Sequence, residues 1–401
     1  VAAATRRRPA QLKEGAERRL LFVFILALWE RRKPRSSCNI SPGWLCNQHI
    51  AGDVLCGRTQ YQLRGSRRSY NTPSTYDGST PLWLMDIQAM RILILGAGGT
   101  GGYFGGRLAQ AGIDVTFLVR PNRAAQLDRD GLVIRSPLGD AAFPVAHVTA
   151  EALPQLAKEN PFDLVILSCK AYDLDSSIDA IAPAIAATTT VLPILNGLRH
   201  YAALDARFGP ECVLGGLCFI SATKAEDGAV LHLDKPAKLT FGERDGVADS
   251  ARVTALAKAC EQAGIDHVAS ADIAQEQWIK YSFLTALAAG TCLMRADVGT
   301  IVASDHGSAF MQALYAECLA VAAQTGQPIP AKAQEIALGA ITKAGSPIKA
   351  SMLRDLEAGQ RVEAAHIVGD MLSRALAAGQ AAPLLQAAYC HLQAYEAQRT
   401  V

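Results

Sequence analysis

The chain has little net charge, no paired cysteines and, early on, no apolar run long enough for a membrane. Each absence removes a class of function. A formal net charge of +2 over 401 residues gives no reason to expect nucleic acid or an anionic membrane as partner. The ten cysteines (Cys38, Cys46, Cys56, Cys169, Cys212, Cys218, Cys260, Cys292, Cys318 and Cys390) form no CxxC pair, and no Cys/His group has zinc-ligand spacing. No metal is expected, and the pattern reads as a cytosolic, disulfide-free protein. Leu20–Trp29, "LLFVFILALW", is strongly apolar but ten residues long, where a bilayer needs about 20. "ERRKPRSS" follows it, where a signal peptide would place small residues for cleavage.

What is present divides unevenly. Residues 1–89 hold 14 Lys/Arg against 6 acids, and the remainder holds 25 against 31. The first part has no helical or strand period. It reads as a poorly ordered or non-native extension, with Met90 as the effective start of the folded chain. A targeting segment and a basic arm are the alternatives. The rest is long enough for two domains.

Directly after Met90 comes "RILILGAGGTGGYFGG". Arg91–Leu95 has the pattern of a buried parallel strand. Gly96, Gly98 and Gly101 then fit G-x-G-x-x-G, with Gly99 beside them. The first glycine permits the tight turn, the second lets backbone approach a pyrophosphate, and the third lets helix pack on strand. "GTGGYFGGRLAQAG" and "DVTFLVR" complete a βαβ unit of about thirty residues, the context that makes the motif specific. At the end of that second strand an acid would bind the ribose 2′-OH of NAD, whereas arginine suits the 2′-phosphate of NADP. Arg120 stands there, so NADP(H) is the expected cofactor. Arg123 reads as a solvated surface residue.

Two further strands end in polar residues, Lys170 in "FDLVILSCKAYD" and Asn196 in "TTTVLPILNGL". Ligands of open α/β sheets sit at such carboxyl ends, so both are expected to face the cofactor. The next stretch alternates like antiparallel strands, with turns predicted at Asp227-Gly228 and Asp234–Pro236. From about Asp272 the pattern turns Ala/Leu-rich and helical. Lys280 is a charge on an otherwise apolar stripe, and Ser351, Asp355, Glu363 and His366 form a second polar island, with Glu363 and His366 expected as i, i+3 neighbours on a helix.

Together the signposts "ILGAGGTGGYFGGRLAQAG", "SCKAYD", "LNGL", "WIKYSFLTAL" and "SMLRDLEAGQRVEAAHIVG" resemble the ketopantoate reductase (2-dehydropantoate 2-reductase) family, from Met90 to about Ala397. The resemblance implies an α/β fold, with a Rossmann-type NADP-binding domain (residues 90–270) followed by an all-helical domain (271–401) and a cleft between. It implies NADPH-dependent reduction of a 2-oxo acid, with 2-dehydropantoate to pantoate as the leading reaction. Lys280 matches the catalytic lysine and general acid, and Glu363 the glutamate touching cofactor and substrate. Lys170, Asn196 and Ala222 match cofactor-contacting positions. Ser351 matches a serine that binds the substrate carboxylate, and Asn196 and Lys280 also face the substrate. The chain departs from the family at Leu284 and Ala288, where asparagines are common, and at Ile348. Those departures point to a more apolar 2-oxo acid as the alternative. His366 is the nearest polar replacement. An idle NADP(H)-binding sensor would have no need of Lys280. A homodimer is left open.

Overall fold

A computed structural model describes residues 90–399, so the expectation for residues 1–89 lies outside the described residues. The first half runs β1 (Ile92–Leu95), α1 (Gly99–Gln110), β2 (Val115–Leu118), α2 (Pro121–Asp130), β3 (Leu132–Arg135), β4 (Ala141–Phe143), β5 (Ala146–Val148), α3 (Leu153–Glu159) and β6 (Leu164–Leu167). It continues through α4 (Leu174–Ile181), β7 (Thr190–Pro193), α5 (His200–Phe208), β8 (Gly215–Lys224), β9 (Val230–Gly242), α6 (Ala251–Gln262) and β10 (Asp266–Ala269).

Five strands form a parallel sheet in the order β5-β2-β1-β6-β7, with Ile92 level with both Val115 and Leu164. β1 shows why the apolar run is unbroken. Ile92 and Ile94 enter one core while Leu93 enters the core on the other face, so neither face tolerates a polar residue. A second sheet, β10-β9-β3-β4 with β8 on the other edge of β9, lies on the far side of α1. That helix is wedged between the two. A Cβ on Gly105 would come within 2.7 Å of Ile94 Cδ1, and one on Gly106 within 2.6 Å of Ile134 Cδ1. The glycines of α1 are thus a packing requirement beyond the cofactor motif.

The turn at Asp227-Gly228 forms as expected. Gly228 has φ +84° and Asp227 Oδ1 accepts the Ala229 N–H at 3.0 Å. Asp234–Pro236 is not a turn between strands. Ile220 pairs with Ala237 and Ala222 with His232, so residues 233–236 bulge out of β9. Pro236 has no N–H for the ladder, which is the reason the pairing breaks there.

The second half is helical: α7 (Ile273–Met294), α8 (Val298–Val302), α9 (Gly307–Gln324), α10 (Ala331–Ile341), α11 (Ser351–Glu357), a π-helical turn at Ala365–Gly369, α12 (Asp370–Ala377) and α13 (Pro383–Gln398). α7 starts where Asp272 accepts the Gln275 N–H, a side-chain cap for an orphan helix donor. Its apolar residues, among them Ala286, Ala288, Ala289 and Cys292, are fully buried against Met311, Leu314 and Tyr315 of α9. A helix apolar on nearly all sides belongs in the middle of a bundle. No helix of the described residues is long and apolar enough to cross a membrane.

Candidate active site

The glycine loop joins β1 to α1. Gly96 has φ +88°, a left-handed turn favouring glycine, and its N–H is tied to Leu118 O at 2.9 Å. A Cβ on Gly101 would lie 2.2 Å from Ser168 Oγ and 2.5 Å from Gly96 O, and one on Gly99 would lie 2.7 Å from Ala222 O. Ala222 therefore meets the loop through its backbone. Gly98 is different: among the described residues, a Cβ there has nothing within 4 Å. Its bare face opens into a cavity of about 710 Å³ that the loop shares with Arg120, Asn122, Arg123, Ser168 and Asp173. The chain does not need glycine at 98 for its own packing, whereas a phosphate laid against that face does. With twelve-residue α1 beginning at Gly99, these residues fit a dinucleotide.

Arg120 is largely exposed at this cavity, with Nη2 3.2 Å from Asp173 Oδ2. Arg123 corrects the expectation of a solvated residue. Its Nη2 donates to Ala97 O at 2.9 Å and its Nη1 to Gln126 Oε1 at 2.6 Å, so it braces the glycine loop. Helical spacing explains this: Arg123 is the third residue of α2 and turns inward, while Arg120 caps the helix outside it.

A second cavity, of about 240 Å³, contains Lys280, Asn196 and Ser351. Lys280 Nζ donates to Asn196 Oδ1 at 2.9 Å and to Cys218 O at 2.7 Å. Burial pushes this ammonium below the ordinary lysine range, with the Cys218 thiol and Glu363 opposing. An ammonium has three donors, so one remains for a ligand oxygen. Such a group binds a developing negative charge and gives up a proton more readily than a solvated lysine. The walls are apolar: Phe219, Ile220, Phe283, Leu284, Leu287 and Ile348 line the space, and Ala288 is fully buried. Thr100, the second residue of α1, lines both cavities, so this space abuts the glycine loop.

Lys170 and Glu363 meet beside these cavities. Glu363, 7% exposed, accepts the Ala171 N–H at 2.9 Å and lies 3.6 Å from Lys170 Nζ. Lys170 Nζ donates to Asp355 Oδ2 at 2.7 Å. Burial alone would lower Lys170, but the carboxylates of Glu363 and Asp355 outweigh it and hold the group above its usual range. Asp355 was visible in the sequence, yet only the fold brings it to the end of β6.

Two expectations need correction. Glu363 and His366 do not share a regular α-helix: α11 stops before Gly359 (φ +69°), and Glu363 stands just before the π-helical turn, where its carbonyl accepts the His366 and Ile367 N–H groups at 3.2 Å and both residues line one cavity. The Glu363 carboxylate contacts the Lys170–Ala171 turn. His366 supplies no polar group to the Lys280 cavity. It lines a different one, together with Glu363, Tyr172, Arg199 and Arg361.

Family models match nearly all of this framework. The model "Ketopantoate reductase PanE/ApbA" matches residues 92–246, and "Ketopantoate reductase PanE/ApbA C terminal" matches 272–396. The chain belongs to the ketopantoate reductase family. It is 38% identical over 310 residues to the "uncharacterized oxidoreductase YkpB" of Bacillus subtilis (strain 168), spanning 77% of this chain and all of that one. The crystal structure of 2-dehydropantoate 2-reductase from Methylococcus capsulatus superposes with a TM-score of 0.69 at 29% identity, covering 78% of this chain and 98% of its own. The ternary structure of D-mandelate dehydrogenase with NADH and anilino(oxo)acetate shares the fold, with a TM-score of 0.69 at 20% identity over 78% of this chain and all of that one. As a ketopantoate reductase family member the protein is a dinucleotide-binding oxidoreductase acting on CH–OH groups.

Proposed function

We propose that this protein uses NADPH to reduce a 2-oxo acid to the 2-hydroxy acid, with Lys280 as the general acid. The observation that carries the reading is the Lys280 cavity meeting the glycine-loop cavity at Thr100. NADPH, when bound, supplies the hydride. Gly96, Gly98, Gly99 and Gly101 make its phosphate site, Arg120 receives the 2′-phosphate, and Lys170, Asn196, Ala222 and Glu363 complete its surroundings. Asn196 and Cys218 O hold the Lys280 ammonium with one N–H toward the substrate carbonyl oxygen. That N–H stabilises the charge growing on the oxygen and then becomes its proton. Ser351 binds the substrate carboxylate.

The substrate named for several relatives is 2-dehydropantoate, which makes its reduction to pantoate the first reaction to test. The wall of Leu284, Leu287 and Ile348 favours a second reading, a 2-oxo acid with a more apolar tail, because it offers a substrate hydroxyl no partner. A panel of 2-oxo acids with NADPH or NADH, followed by coenzyme oxidation, tests both. Turnover with NADPH is expected, and the preferred acid separates the two readings. No turnover with any 2-oxo acid would refute the proposal.

A further inference from the structure

Resting on the NADPH reading, we infer that Lys224 is a second cation for the cofactor's 2′-phosphate and so a determinant of NADPH over NADH. A phosphate monoester carries about −1.5 to −2 charges at pH 7. The pyrophosphate, common to NADH and NADPH, falls to the glycine loop and the start of α1, where backbone N–H groups and the helix dipole answer its charge. The 2′-phosphate lies outside that cradle and needs cations of its own.

The charged residues on the glycine-loop cavity are Arg120, Arg123, Glu151, Asp173 and Lys224. Glu151 and Asp173 repel a phosphate. Arg120 is already paired: its Nη2 lies 3.2 Å from Asp173 Oδ2, so the two together bring no net charge. Arg123 directs Nη2 to Ala97 O and Nη1 to Gln126 Oε1. Lys224 is exposed, and its ammonium has neither an ion pair nor a hydrogen bond among the described residues.

The fold brings that lysine to the helix that follows Arg120. Lys224 ends β8, two residues after Ala222, whose carbonyl leaves no room for a Cβ on Gly99. The β8–β9 turn is tied to α2 by Gln126 Nε2, which donates to Asp227 O at 2.8 Å. α2 itself begins directly after Arg120. Two cations from strands of different sheets, Arg120 after β2 and Lys224 at the end of β8, therefore line one cavity. Lys224 supplies the charge that Asp173 takes from Arg120.

The test compares Lys224→Gln and Lys224→Arg with the unaltered chain. Fluorescence titrations of NADPH and NADH are set beside calorimetry with adenosine 2′,5′-bisphosphate, and none of these needs turnover. In Lys224→Gln, affinity for NADPH and for the bisphosphate should fall about 5–30-fold, the loss of a charged hydrogen bond partly screened by solvent. NADH affinity should stay within about twofold, and Lys224→Arg should keep most of the affinity for NADPH. Equal losses for NADPH and NADH would overturn the assignment, because they would put the ammonium at the shared pyrophosphate or make it structural. No loss at all would also overturn it. If the unaltered chain bound NADPH no more tightly than NADH, the NADPH reading would fall too. A chain that prefers NADPH and keeps that preference in Lys224→Gln would overturn the role of Lys224 alone.

Discussion

Two glycines in one motif should fail in opposite ways when replaced by alanine. Gly98 has φ −89°, which alanine adopts freely, and open space where a Cβ would go. Gly98→Ala should therefore leave stability within about 0.5 kcal/mol. The methyl group lands on the face assigned to the pyrophosphate, so NADPH affinity should fall about 10–100-fold, taking the overpacking range of 1–3 kcal/mol. Gly101→Ala meets Ser168 Oγ at 2.2 Å and Gly96 O at 2.5 Å. The hydroxyl can swing away but would lose its 2.8 Å bond to Leu95 O, and the carbonyl is backbone. That substitution should cost about 2–4 kcal/mol, an overpacking term plus a lost hydrogen bond. At about 2–4 °C per kcal/mol for a domain of this size, the Tm falls by at least several degrees before any cofactor is added. The assay is thermal unfolding with and without NADPH, beside fluorescence titration of the coenzyme. A Gly98→Ala protein that unfolds early, or binds NADPH normally, would refute the assignment of that face.

Further outcomes follow from other residues. Arg120→Ala should weaken NADPH far more than NADH in coenzyme titrations. Arg123→Ala, which removes the brace on Ala97 O, should weaken both alike, so equal losses for Arg120→Ala would remove its 2′-phosphate role. The pH profile should carry the mark of Lys280: because burial lowers this group and it acts protonated, kcat/KM should fall as pH rises through a pKa below the usual lysine value. A pH-independent rate up to the ordinary lysine range would argue against it. His200 is fully buried, both ring nitrogens lack a hydrogen-bond partner among the described residues, and burial pushes it down to about 3. Unfolding lets it bind a proton below about 6.5, so its contribution to stability is complete above that pH and shrinks as pH falls toward 3, by about 1.4 kcal/mol per unit. Denaturant titrations at pH 7 and pH 5 should show this slope in the unaltered protein and lose it in His200→Phe.

Much of the fold was legible because its signals are local. The buried strand at Arg91–Leu95, the glycine turn and the change to helical periodicity near Asp272 each lie within a few residues. So does the placement of polar groups at strand ends, which brought out Lys170 and Asn196. What the sequence hid was set by contacts between distant segments. Gly105 is explained by Ile94 and Phe117 of the parallel sheet, and Gly106 by Leu132 and Ile134 of a second sheet whose strands come later in the chain. Arg123 and Arg120 look alike in sequence, and only the turn of α2 separates brace from rim. Asp355 pairs with Lys170 across 185 positions. The pairing of Glu363 with the Lys170–Ala171 turn depends on a helix break and a π-helical turn, neither of which has a clear residue pattern.

The most direct measurement of the central claim is single-turnover oxidation of NADPH by Lys280→Ala with the 2-oxo acid the unaltered protein prefers, beside an NADPH titration of the same variant. The expected result is coenzyme affinity within a few-fold of the unaltered protein and a hydride-transfer rate lower by about 10²–10⁴, the range for a lost general acid. A Lys280→Ala protein that binds NADPH and turns over at the original rate would contradict the account.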